Sequence, residues 1–558
     1  MQIVIPMSGF GERFRRAGYE VPKPLIEVEG KPIIAHVIEM FPEETDFIFI
    51  CNNDHLSAQE FNLKQILNKL CPTGKVIGIN AHKLGPIHAV NQISEHLSLH
   101  EPIIVNYCDF TCYWDWKDFK NFVKSSNCIG AIPAYKGFHP HTLGSTNYAY
   151  MMESNGVVSD IQEKKPYTSN RMEEYASSGT YYFSSAKGML DAFNSVIEND
   201  LNVAGEYYVS LAYRSILQNK SLVLVYPLQH FMQWGTPQDV MEYNGWSQAF
   251  RALAIKEKNL NNNKSLGSLV IPMAGLGQRF VDGGYDVTKP LIPVSGMPMV
   301  IQAVNDLPNS LTQSFIIRRD MKGYQDVSNQ LYETYPNCII ETIDSVTDGQ
   351  AITASIGMGA MSLGKKLKSP VTIGACDNGA IYNFDKFQSM IEDPEVDIIV
   401  WGVRGYANAM RNPEMFGRIK EGDKGLISKI SVKKPLEDTS KDPIVLGTFT
   451  FKDAGYYSKA LNSLIARDGK INGEFYIDSL INDAIQLGFK CKLFEVDSYL
   501  CWGTPNDLKT FEYWQSCFHK WSAHPYRIES DSRISIEDAV FLEKENSSKA
   551  LAYKLGKY

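Results

Sequence analysis

The sequence lacks three features that would define its class at once: paired cysteines, long apolar runs and an excess of positive charge. None of the ten cysteines forms a C-x-x-C pair, the spacing typical of zinc sites and redox dithiols, so we expect reduced and mostly buried thiols. No stretch approaches the roughly 20 apolar residues that span a bilayer. Lys and Arg number 55 against 63 Asp and Glu, a formal net charge of −8, which argues against a dedicated nucleic-acid binder.

The first residues carry neither the basic region nor the apolar run of a secretory signal, so we expect a cytoplasmic protein that binds neither membrane nor nucleic acid. Small anionic substrates still fit this composition, because they need only a locally basic pocket.

The chain has 558 residues, of which 44% are hydrophobic and 21% charged, an ordinary globular composition. Single cores rarely grow beyond about 250–300 residues, so at least two are expected.

An internal repeat organises this length. The opening I-V-I-P-M-S-G-F-G-E-R-F at residues 3–14 returns as L-V-I-P-M-A-G-L-G-Q-R-F at residues 269–280. The offset between Gly9 and Gly275 is 275 − 9 = 266 residues, and later landmarks keep nearly the same spacing. We therefore expect two homologous domains.

The predicted domains are residues 1–252 and 268–519, joined by a polar, Asn-rich linker at 253–267. Residues 520–558 have no counterpart in the first half and are predicted to form a helical tail, with Ser535 as N-cap of an amphipathic helix. We expect this tail to dock on a domain or subunit surface, and a homo-oligomer stays possible.

Within each repeat, short apolar runs alternate with amphipathic stretches. Residues 3–5, 47–50 and 103–105 read as strands, and residues 33–40, 63–70 and 88–97 have helical periodicity. This alternation indicates an α/β fold with a mainly parallel sheet, in which ligands bind beyond the carboxyl ends of the strands.

A glycine-rich loop follows the opening strand of each repeat. Glycines let a backbone approach a phosphate, although an isolated G-x-G is often only a turn. A dinucleotide fingerprint would need a third glycine where Phe14 and Phe280 stand, and no G-x-x-x-x-G-K-[ST] occurs. Both copies carry two cations ten residues apart, as a bound triphosphate requires. These are Arg13 with Lys23, and Arg279 with Lys289.

These motifs, G-x-G-x-R-F followed by P-K-P-L-I, or T-K-P-L-I in the second copy, resemble those of a known superfamily. Its members are the sugar-1-phosphate nucleotidylyltransferases and their phosphocholine cytidylyltransferase relatives, which join an NTP to a phosphorylated small molecule. The resemblance covers roughly residues 1–250 and 268–515. It implies two tandem Rossmann-like nucleotidyltransferase domains with mainly parallel central sheets, Mg²⁺ as cofactor, and transfer without a covalent enzyme intermediate.

The resemblance also assigns roles, residue by residue. The catalytic cations are Arg13, Lys23, Arg279 and Lys289. The nucleotide would contact Ser8, Gly9, Gly11, Gly85, Ala274, Gly275, Gly277 and Gly349. The acceptor would contact Lys164, Gly179, Glu206, Lys433, Gly447 and Glu474, where the Glu residues resemble an acidic helix start. Asp109 and Asp377, each after a central strand, would bind the metal.

Three departures from the family pattern leave alternatives open. Each acceptor lysine lies in a Lys-Lys pair, so either member could serve, and the second copy lacks the preceding Glu. The position of a second metal-binding Asp holds Gln233 in one copy and Cys501 in the other, and a thiol is a poor magnesium ligand. His139 and His141 lie either in an exposed loop or in acceptor recognition.

The function that the resemblance implies is Mg-dependent transfer from an NTP to a phosphorylated small molecule at two sites, in capsule or lipopolysaccharide precursor synthesis. Two other hypotheses remain: one domain is catalytic and the other senses nucleotide, or the chain is a non-catalytic nucleotide-binding scaffold. The base and the acceptors are not determined by the sequence.

Overall fold

The structure is a computed structural model that describes residues 1–228, 230–255, 265–361, 369–434, 436 and 441–542. The chain divides into two compact units, the first comprising Met1–Asn244 and the second beginning at Gly245. This division lies inside the helix Pro237–Ala254. Most of the predicted linker, residues 256–264, and the tail from residue 543 onward lie outside the described residues.

The first unit alternates strands and helices, as predicted. Its strands are β1 (Gln2–Met7), β2 (Glu27–Val28), β3 (Lys31–Pro32), β4 (Phe47–Asn52), β5 (Lys75–Ile79), β6 (Ile103–Asn106), β7 (Phe110–Tyr113), β8 (Gly130–Tyr135), β9 (Ala149–Ser154), β10 (Val157–Glu163), β11 (Tyr175–Ser177), β12 (Thr180–Phe183), β13 (Val223–Pro227) and β14 (His230–Gln233). Its α-helices are Glu12–Arg16, Ile33–Glu39, Asn53–Ser57, Leu63–Leu70, Pro86–Asn91, Trp116–Ser126, Ala186–Glu198, Ala212–Gln218 and the start of Pro237–Ala254. Short 3₁₀ helices are Lys23–Leu25, Gln59–Phe61, Ser94–His96, Pro140–Leu143, Arg171–Glu173 and Val209–Leu211.

The central sheet of the first unit has the order β11-β9-β10-β13-β8-β12-β6-β1-β4-β5. Strands β6, β1, β4 and β5 pair in parallel, as do β8 and β13. However, β12 is antiparallel to both of its neighbours, and β9, β10 and β11 pair antiparallel. The expectation of a mainly parallel sheet is therefore met on one side only, and the sheet as a whole is mixed.

The antiparallel edge has a local cause that the sequence already contains. Asn155 and Gly156 connect β9 to β10, and both have positive φ angles, 50° and 80°. An Asn-Gly pair in this conformation forms the two-residue turn that matches the twist of antiparallel strands. By contrast, β1, β4 and β6 are continuous apolar runs buried on both faces, the pattern of parallel strands covered by helices.

The second unit contains the strands β15 (Ser268–Pro272), β16 (Pro293–Val294), β17 (Met297–Pro298), β18 (Thr312–Arg318), β19 (Ile339–Ile343), β20 (Val371–Ile373), β21 (Asn378–Ile381), β22 (Ile398–Val403), β23 (Arg418–Glu421), β24 (Ile427–Ser431), β25 (Ile444–Phe451), β26 (Cys491–Glu495) and β27 (Ser498–Cys501). Its α-helices include Gln278–Asp282, Met299–Asn305, Tyr324–Thr334, Gln350–Ala360, Phe384–Glu392, Ala407–Arg411, Ala454–Ala466, Ile477–Gln486 and Pro505–Lys520. Short 3₁₀ helices include Lys289–Leu291, Pro413–Met415, Asp423–Gly425 and Ile528–Ser530.

Its main sheet has the order β19-β18-β15-β20-β25-β22-β26. The corresponding strands of the first unit lie in the order β5-β4-β1-β6-β12-β8-β13. The strand β25 is antiparallel to β20 and β22, as β12 is to β6 and β8. This second sheet is therefore also mixed.

The segment after the helix Pro505–Lys520 packs into the second unit. His524, Tyr526 and Ile528 are buried. Residues 536–542 are helical, and the Ser535 hydroxyl accepts a 3.0 Å hydrogen bond from the backbone N–H of Asp538, the N-cap expected from the sequence.

The cysteines and the apolar segments agree with the expectations from composition. All ten cysteines are unpaired, and nine of them are buried, as expected for reduced thiols. Among the described residues, no helix has the length and apolarity needed to cross a bilayer.

Candidate functional site

Two cavities meet at the carboxyl ends of β1 and β6 in the first unit. One has a volume of about 550 Å³ and the other about 300 Å³. We call them the large and the small cavity. Both are lined by Arg13, Lys23, Tyr107, Asp109, Glu206, Tyr208 and Gly235. The arrangement provides two binding spaces with shared cations and carboxylates at their junction.

The glycine loop lines the large cavity. Ser8, Gly9 and Gly11 all contribute to its wall. Gly11 has a φ of 62° and precedes the helix Glu12–Arg16, a left-handed conformation that favours glycine. The loop thereby turns sharply from β1 into the helix that carries Arg13.

Gly85 forms another part of this wall and permits a close backbone approach. Its φ and ψ are 86° and 180° at the start of the helix Pro86–Asn91, a region almost restricted to glycine. A Cβ atom at Gly85 would lie 2.8 Å from the backbone N and O of Tyr207. The segment from 84 to 87 is held there by hydrogen bonds to Tyr207.

We expect Gly85→Ala to weaken nucleotide binding by about tenfold, because the added methyl group strains the loop by roughly 1–3 kcal/mol. Titration calorimetry with each NTP measures this effect. Gly245→Ala is the matched control, since a Cβ at that helical glycine would meet nothing within 4 Å. Equal affinities for both variants would contradict the proposed role of the loop.

At the junction of the cavities, the Lys23 ammonium lies 2.5 Å from Oδ2 of Asp109. Burial disfavours the Lys23 ammonium, but the Asp109 carboxylate outweighs this effect, so the pKa of Lys23 lies above its ordinary value. Their side chains are 21% and 27% exposed. The predicted phosphate cation and the predicted metal ligand therefore neutralise each other where both cavities open.

A chain of polar groups crosses the wall of the small cavity. Lys164 donates a hydrogen bond to the Tyr208 hydroxyl, which in turn donates to the Glu206 carboxylate. Lys165 is exposed and does not line either cavity, so the structure favours Lys164 within the Lys-Lys pair. Gly179 lines the same cavity with a φ of 101°.

The expectation that Glu206 begins a helix is wrong. Glu206 lies in a turn closed by mutual hydrogen bonds with Val203, and the next helical segment is the 3₁₀ turn Val209–Leu211. Glu474 forms the same kind of turn with Ile471. A helix dipole therefore does not stabilise the charge of these two carboxylates. At Glu206 the carboxylate instead accepts a hydrogen bond from the Tyr208 hydroxyl.

Glu163 is a buried carboxyl of the small cavity that the sequence argument did not assign. It is 9% exposed, and its Oε2 accepts a 2.6 Å hydrogen bond from the Ser210 hydroxyl. Burial raises the pKa of Glu163 to about 7. Its position directly before Lys164, together with the apolar alternation of β10, is the signal that could have identified it.

The raised pKa predicts a pH dependence of stability. A carboxyl with a folded-state pKa above its unfolded value contributes fully below about pH 4.5, and that contribution is lost as pH rises through about 7. We therefore expect the free energy of unfolding of the wild type, relative to Glu163→Gln, to fall by about 2 kcal/mol between about pH 5 and about pH 8. Chemical unfolding at each pH measures it. Glu173→Gln, at an exposed site, should follow the wild-type profile, and parallel profiles for all three proteins would contradict the prediction.

Gln233 and Asp239 form a second group that only the structure brings out. The Gln233 amide nitrogen donates a 2.6 Å hydrogen bond to Asp239 Oδ1, while the N–H and hydroxyl of Thr236 donate to Oδ2. This leaves Oε1 of Gln233 buried and, among the described residues, without a hydrogen-bond partner. An amide oxygen is thus held ready for a ligand beside the small cavity.

In the second unit, Cys501 occupies the corresponding place and interacts with Asp507. Burial raises the pKa of the Cys501 thiol far above its ordinary value, so the sulfur stays protonated at neutral pH. A protonated thiol cannot replace an oxygen ligand for a hard cation.

His139 and His141 lie neither in an exposed loop nor among the residues that line the two cavities. They are 3% and 6% exposed, and their rings lie 3.8 Å apart. His139 Nε2 is hydrogen-bonded to the carbonyl oxygen of Phe231, and His141 to the Tyr135 hydroxyl. The exposed-loop interpretation is wrong, because aromatic packing buries both rings.

The second unit repeats the junction of the first. Lys289 lies 2.5 Å from Oδ2 of Asp377, and Gly277 has a φ of 64° with its Cβ position 3.3 Å from Lys289 Cβ. Lys433, rather than the exposed Lys434, lies over the ring of Tyr476 at 5.2 Å.

The other predicted residues of the second unit occupy matching places. Gly349 has a φ of 125°, and its Cβ position lies 2.6 Å from the backbone N of Phe475. Gly447 has a φ of 81°, and burial together with the nearby Glu474 carboxylate raises the pKa of Tyr476. Ala274 and Gly275 follow β15, and the Ala274 carbonyl accepts a hydrogen bond from Arg318. Arg279 lies near enough to Tyr476 to act on it electrostatically.

A glycine loop, paired cations and a carboxylate at the carboxyl edge of an α/β sheet define a class of proteins that bind phosphorylated ligands. Comparison with known proteins is more specific: residues 3–238 match the model of the Nucleotidyl transferase family. This match supports the predicted enzyme class, a nucleotidyltransferase, for residues 3–238.

The curated relatives are distant. Mannose-1-phosphate guanylyltransferase catalytic subunit beta of Dictyostelium discoideum is 25% identical over 33% of this chain and 49% of its own length. Mannose-1-phosphate guanyltransferase beta-A of Xenopus laevis is 27% identical over 33% of this chain and 50% of its own length. The chain thus spans about half the length of these relatives. A nucleoside-diphosphate-sugar pyrophosphorylase structure from Vibrio cholerae is 19% identical, with a TM-score of 0.36, over 43% of this chain and 99% of its own.

Proposed function

We propose that the first unit transfers a nucleotidyl group from an NTP to a sugar-1-phosphate and releases pyrophosphate. The observation that carries this proposal is the junction of the two cavities, where Arg13, Lys23 and Asp109 line both spaces. The large cavity has the volume and the glycine loop for the nucleotide. The small cavity is lined by Lys164 and by four carboxyl groups, those of Asp109, Glu163, Glu206 and Asp239, and it suits a hydroxylated phosphate ester.

The reaction is an in-line attack by an acceptor phosphate oxygen on the α-phosphorus, with pyrophosphate as the leaving group. Two anions must be held within attack distance, so the protein contributes positioning and charge neutralisation. Arg13 binds the leaving phosphates, Lys23 the α-phosphate and Lys164 the acceptor phosphate. When the phosphates enter, the Lys23 ammonium exchanges part of its contact with Asp109 for the substrate.

The donors at the junction fit a magnesium ion. Magnesium commonly takes one or two carboxylates besides substrate phosphates, and Asp109 provides a carboxylate with the free amide oxygen of Gln233 nearby on the same cavity wall. A bound Mg²⁺ would neutralise phosphate charge during transfer. Asp377 would hold the metal in the second unit.

We extend the proposal to the second unit as a tandem nucleotidyltransferase domain. The shared strand order and the Lys289–Asp377 pair support it. The two units differ beside the acceptor lysine, where Glu163 precedes Lys164 but Val432 precedes Lys433, so we propose two sites with different acceptors. A cytoplasmic step in capsule or lipopolysaccharide precursor synthesis would use such a pair of products.

One observation favours a second candidate for the second unit, namely nucleotide sensing without turnover. The protonated Cys501 thiol provides no oxygen where Gln233 provides one, which weakens metal binding there. In this alternative, the second unit binds NTP and regulates the first.

The test combines each NTP with a panel of sugar phosphates, polyol phosphates and amino-alcohol phosphates, with Mg²⁺ or with a chelator, and follows pyrophosphate release. Asp109→Asn and Asp377→Asn assign each activity to a unit. We expect each variant to lose a different acceptor. Loss of all turnover in Asp109→Asn alone would favour the sensor, and full activity in both variants would contradict the proposed site.

A further inference from the structure

The proposed acceptor lysine of each unit is accompanied by a carboxyl group, which is buried at Glu163 and partly buried at Asp478. The two carboxyl groups belong to different structural elements. In the first unit the group belongs to Glu163, the residue directly before Lys164 at the end of β10. In the second unit the residue before Lys433 is Val432, which removes the acid. The carboxylate reappears at Asp478, in the first turn of the helix Ile477–Gln486.

Between the two units, the acidic residue changes places with a non-acidic one at two corresponding positions. The segments Gly205-Glu-Tyr-Tyr-Val-Ser210 and Gly473-Glu-Phe-Tyr-Ile-Asp478 correspond residue by residue. Asp478 therefore stands where the first unit has Ser210, the residue whose hydroxyl donates to Glu163. The pair Glu163 and Ser210 becomes Val432 and Asp478, so each unit keeps one acid in this place.

A third position changes with these two, for a steric reason. In the first unit Ala149 is the cross-strand partner of Glu163. In the second unit Arg418 pairs with Ser431, so the next position outward places Gly417 opposite Val432. A Cβ at Gly417 would lie 2.3 Å from Oδ2 of Asp478. The carboxylate thus occupies the space that the Ala149 methyl group fills in the first unit.

Charge agrees with this geometry. The positive charge of Lys433 opposes the effect of burial on Asp478, whose pKa burial raises to about 6. In the first unit, the positive charge of Lys164 likewise opposes the effect of burial on the pKa of Glu163. Both lysines have left-handed backbone conformations, with φ of 58° and 51°, so the local backbone around them is also alike.

We propose that Asp478 supplies, in the second acceptor site, the carboxylate that Glu163 supplies in the first, and that it positions Lys433 for the acceptor phosphate. This inference rests on the proposed function of the second unit. The acid thus comes from the helix in the second unit and from the strand in the first.

The pairing can be tested without turnover by the rate at which an N-hydroxysuccinimide ester acetylates Lys433 in the full chain, read by peptide mass spectrometry. The exposed neighbour Lys434 is the internal reference. We expect Asp478→Asn to raise the Lys433 to Lys434 ratio about threefold or more, because a lysine that is no longer held by a charge-assisted contact with a carboxylate reaches the reagent more readily. Val432→Glu combined with Asp478→Ser should restore the wild-type ratio, and Ser479→Ala on the same helix should leave it unchanged.

Turnover tests the role in acceptor binding. With the first site silenced by Lys23→Met, we expect Asp478→Asn to raise the acceptor KM about tenfold with little change in kcat, as for loss of a charged hydrogen-bond partner. The Val432→Glu/Asp478→Ser double variant should recover most of this loss.

The outcomes separate this proposal from the proposed function. An unchanged acetylation ratio in Asp478→Asn overturns the pairing, and a changed ratio with an unchanged acceptor KM overturns its role in binding. If the second unit shows no turnover with any acceptor while the ratio changes and the double variant restores it, the pairing stands and the proposed activity of that unit fails.

Discussion

Replacing Lys23 with Met is expected to lower kcat/KM for the first-site reaction by about 10³. The Lys23 ammonium is one of two cations that line both cavities and lies 2.5 Å from Asp109, so its loss removes a charge from the proposed position of the transferred phosphorus. It also leaves the partly buried Asp109 carboxylate without its counterion, which repels an incoming triphosphate. Steady-state pyrophosphate release with saturating acceptor measures the effect.

Lys31→Met is the matched control for this substitution. Lys31 pairs with Glu39 at the surface of the same unit, 37% and 55% exposed, and such exposed pairs contribute about 0–1 kcal/mol. Its kinetics should equal those of the wild type. If Lys23→Met retained more than a tenth of wild-type kcat/KM, Lys23 would not be the cation of the reacting phosphate.

Replacing Arg533 with Met is expected to destabilise the second unit by about 3–5 kcal/mol, the usual effect of removing one partner from a buried ion pair. Arg533 lies 3.0 Å from Asp531 and 3.5 Å from Asp306, with all three side chains at most 5% exposed. Burial raises the pKa of Asp306 to about 7, against the opposing charge of Arg533. Without the guanidinium, two carboxyls would remain buried next to each other.

Denaturant unfolding of the full chain, fitted as two transitions, measures this change. Arg319→Met provides the comparison, because Arg319 and Asp344 form an ion pair with side chains 61% and 87% exposed, and it should shift stability by less than about 1 kcal/mol. Equal effects of the two substitutions would show that the C-terminal segment is a loose attachment and not a part of the core of the second unit.

Much of the site followed from local sequence. The glycine loop and Lys23 were predicted from spacing and Asp109 from the family resemblance, and the structure brings them together because parallel strands end at one edge of the sheet. The sequence could not distinguish Lys164 from Lys165, because both have the same charge and differ only in which one lines the cavity. The histidines were misjudged because local polarity says nothing about the aromatic rings that cover them.

The mixed sheet could have been predicted in part. The Asn155-Gly156 turn is a hairpin signal within ten residues of sequence, and it identifies the β9–β10 edge. The antiparallel β12 has no such signal, because its partners β6 and β8 are separated from it by tens of residues. Pairings of that kind depend on the packing of the whole sheet.

The sequence by itself determined the repeat, the α/β class and the glycine loop with its paired cations, because these depend on residue types at short, fixed spacings. Only the tertiary structure decided which carboxyl group lies in the place beside each proposed acceptor lysine. Glu163 and Asp478 are 315 positions apart and have no common motif, and their equivalence depends on how a strand, a helix and the Ala149 or Gly417 position share one volume. An acidic side chain can come from any structural element that packs against the same space, and the fold determines which elements pack there.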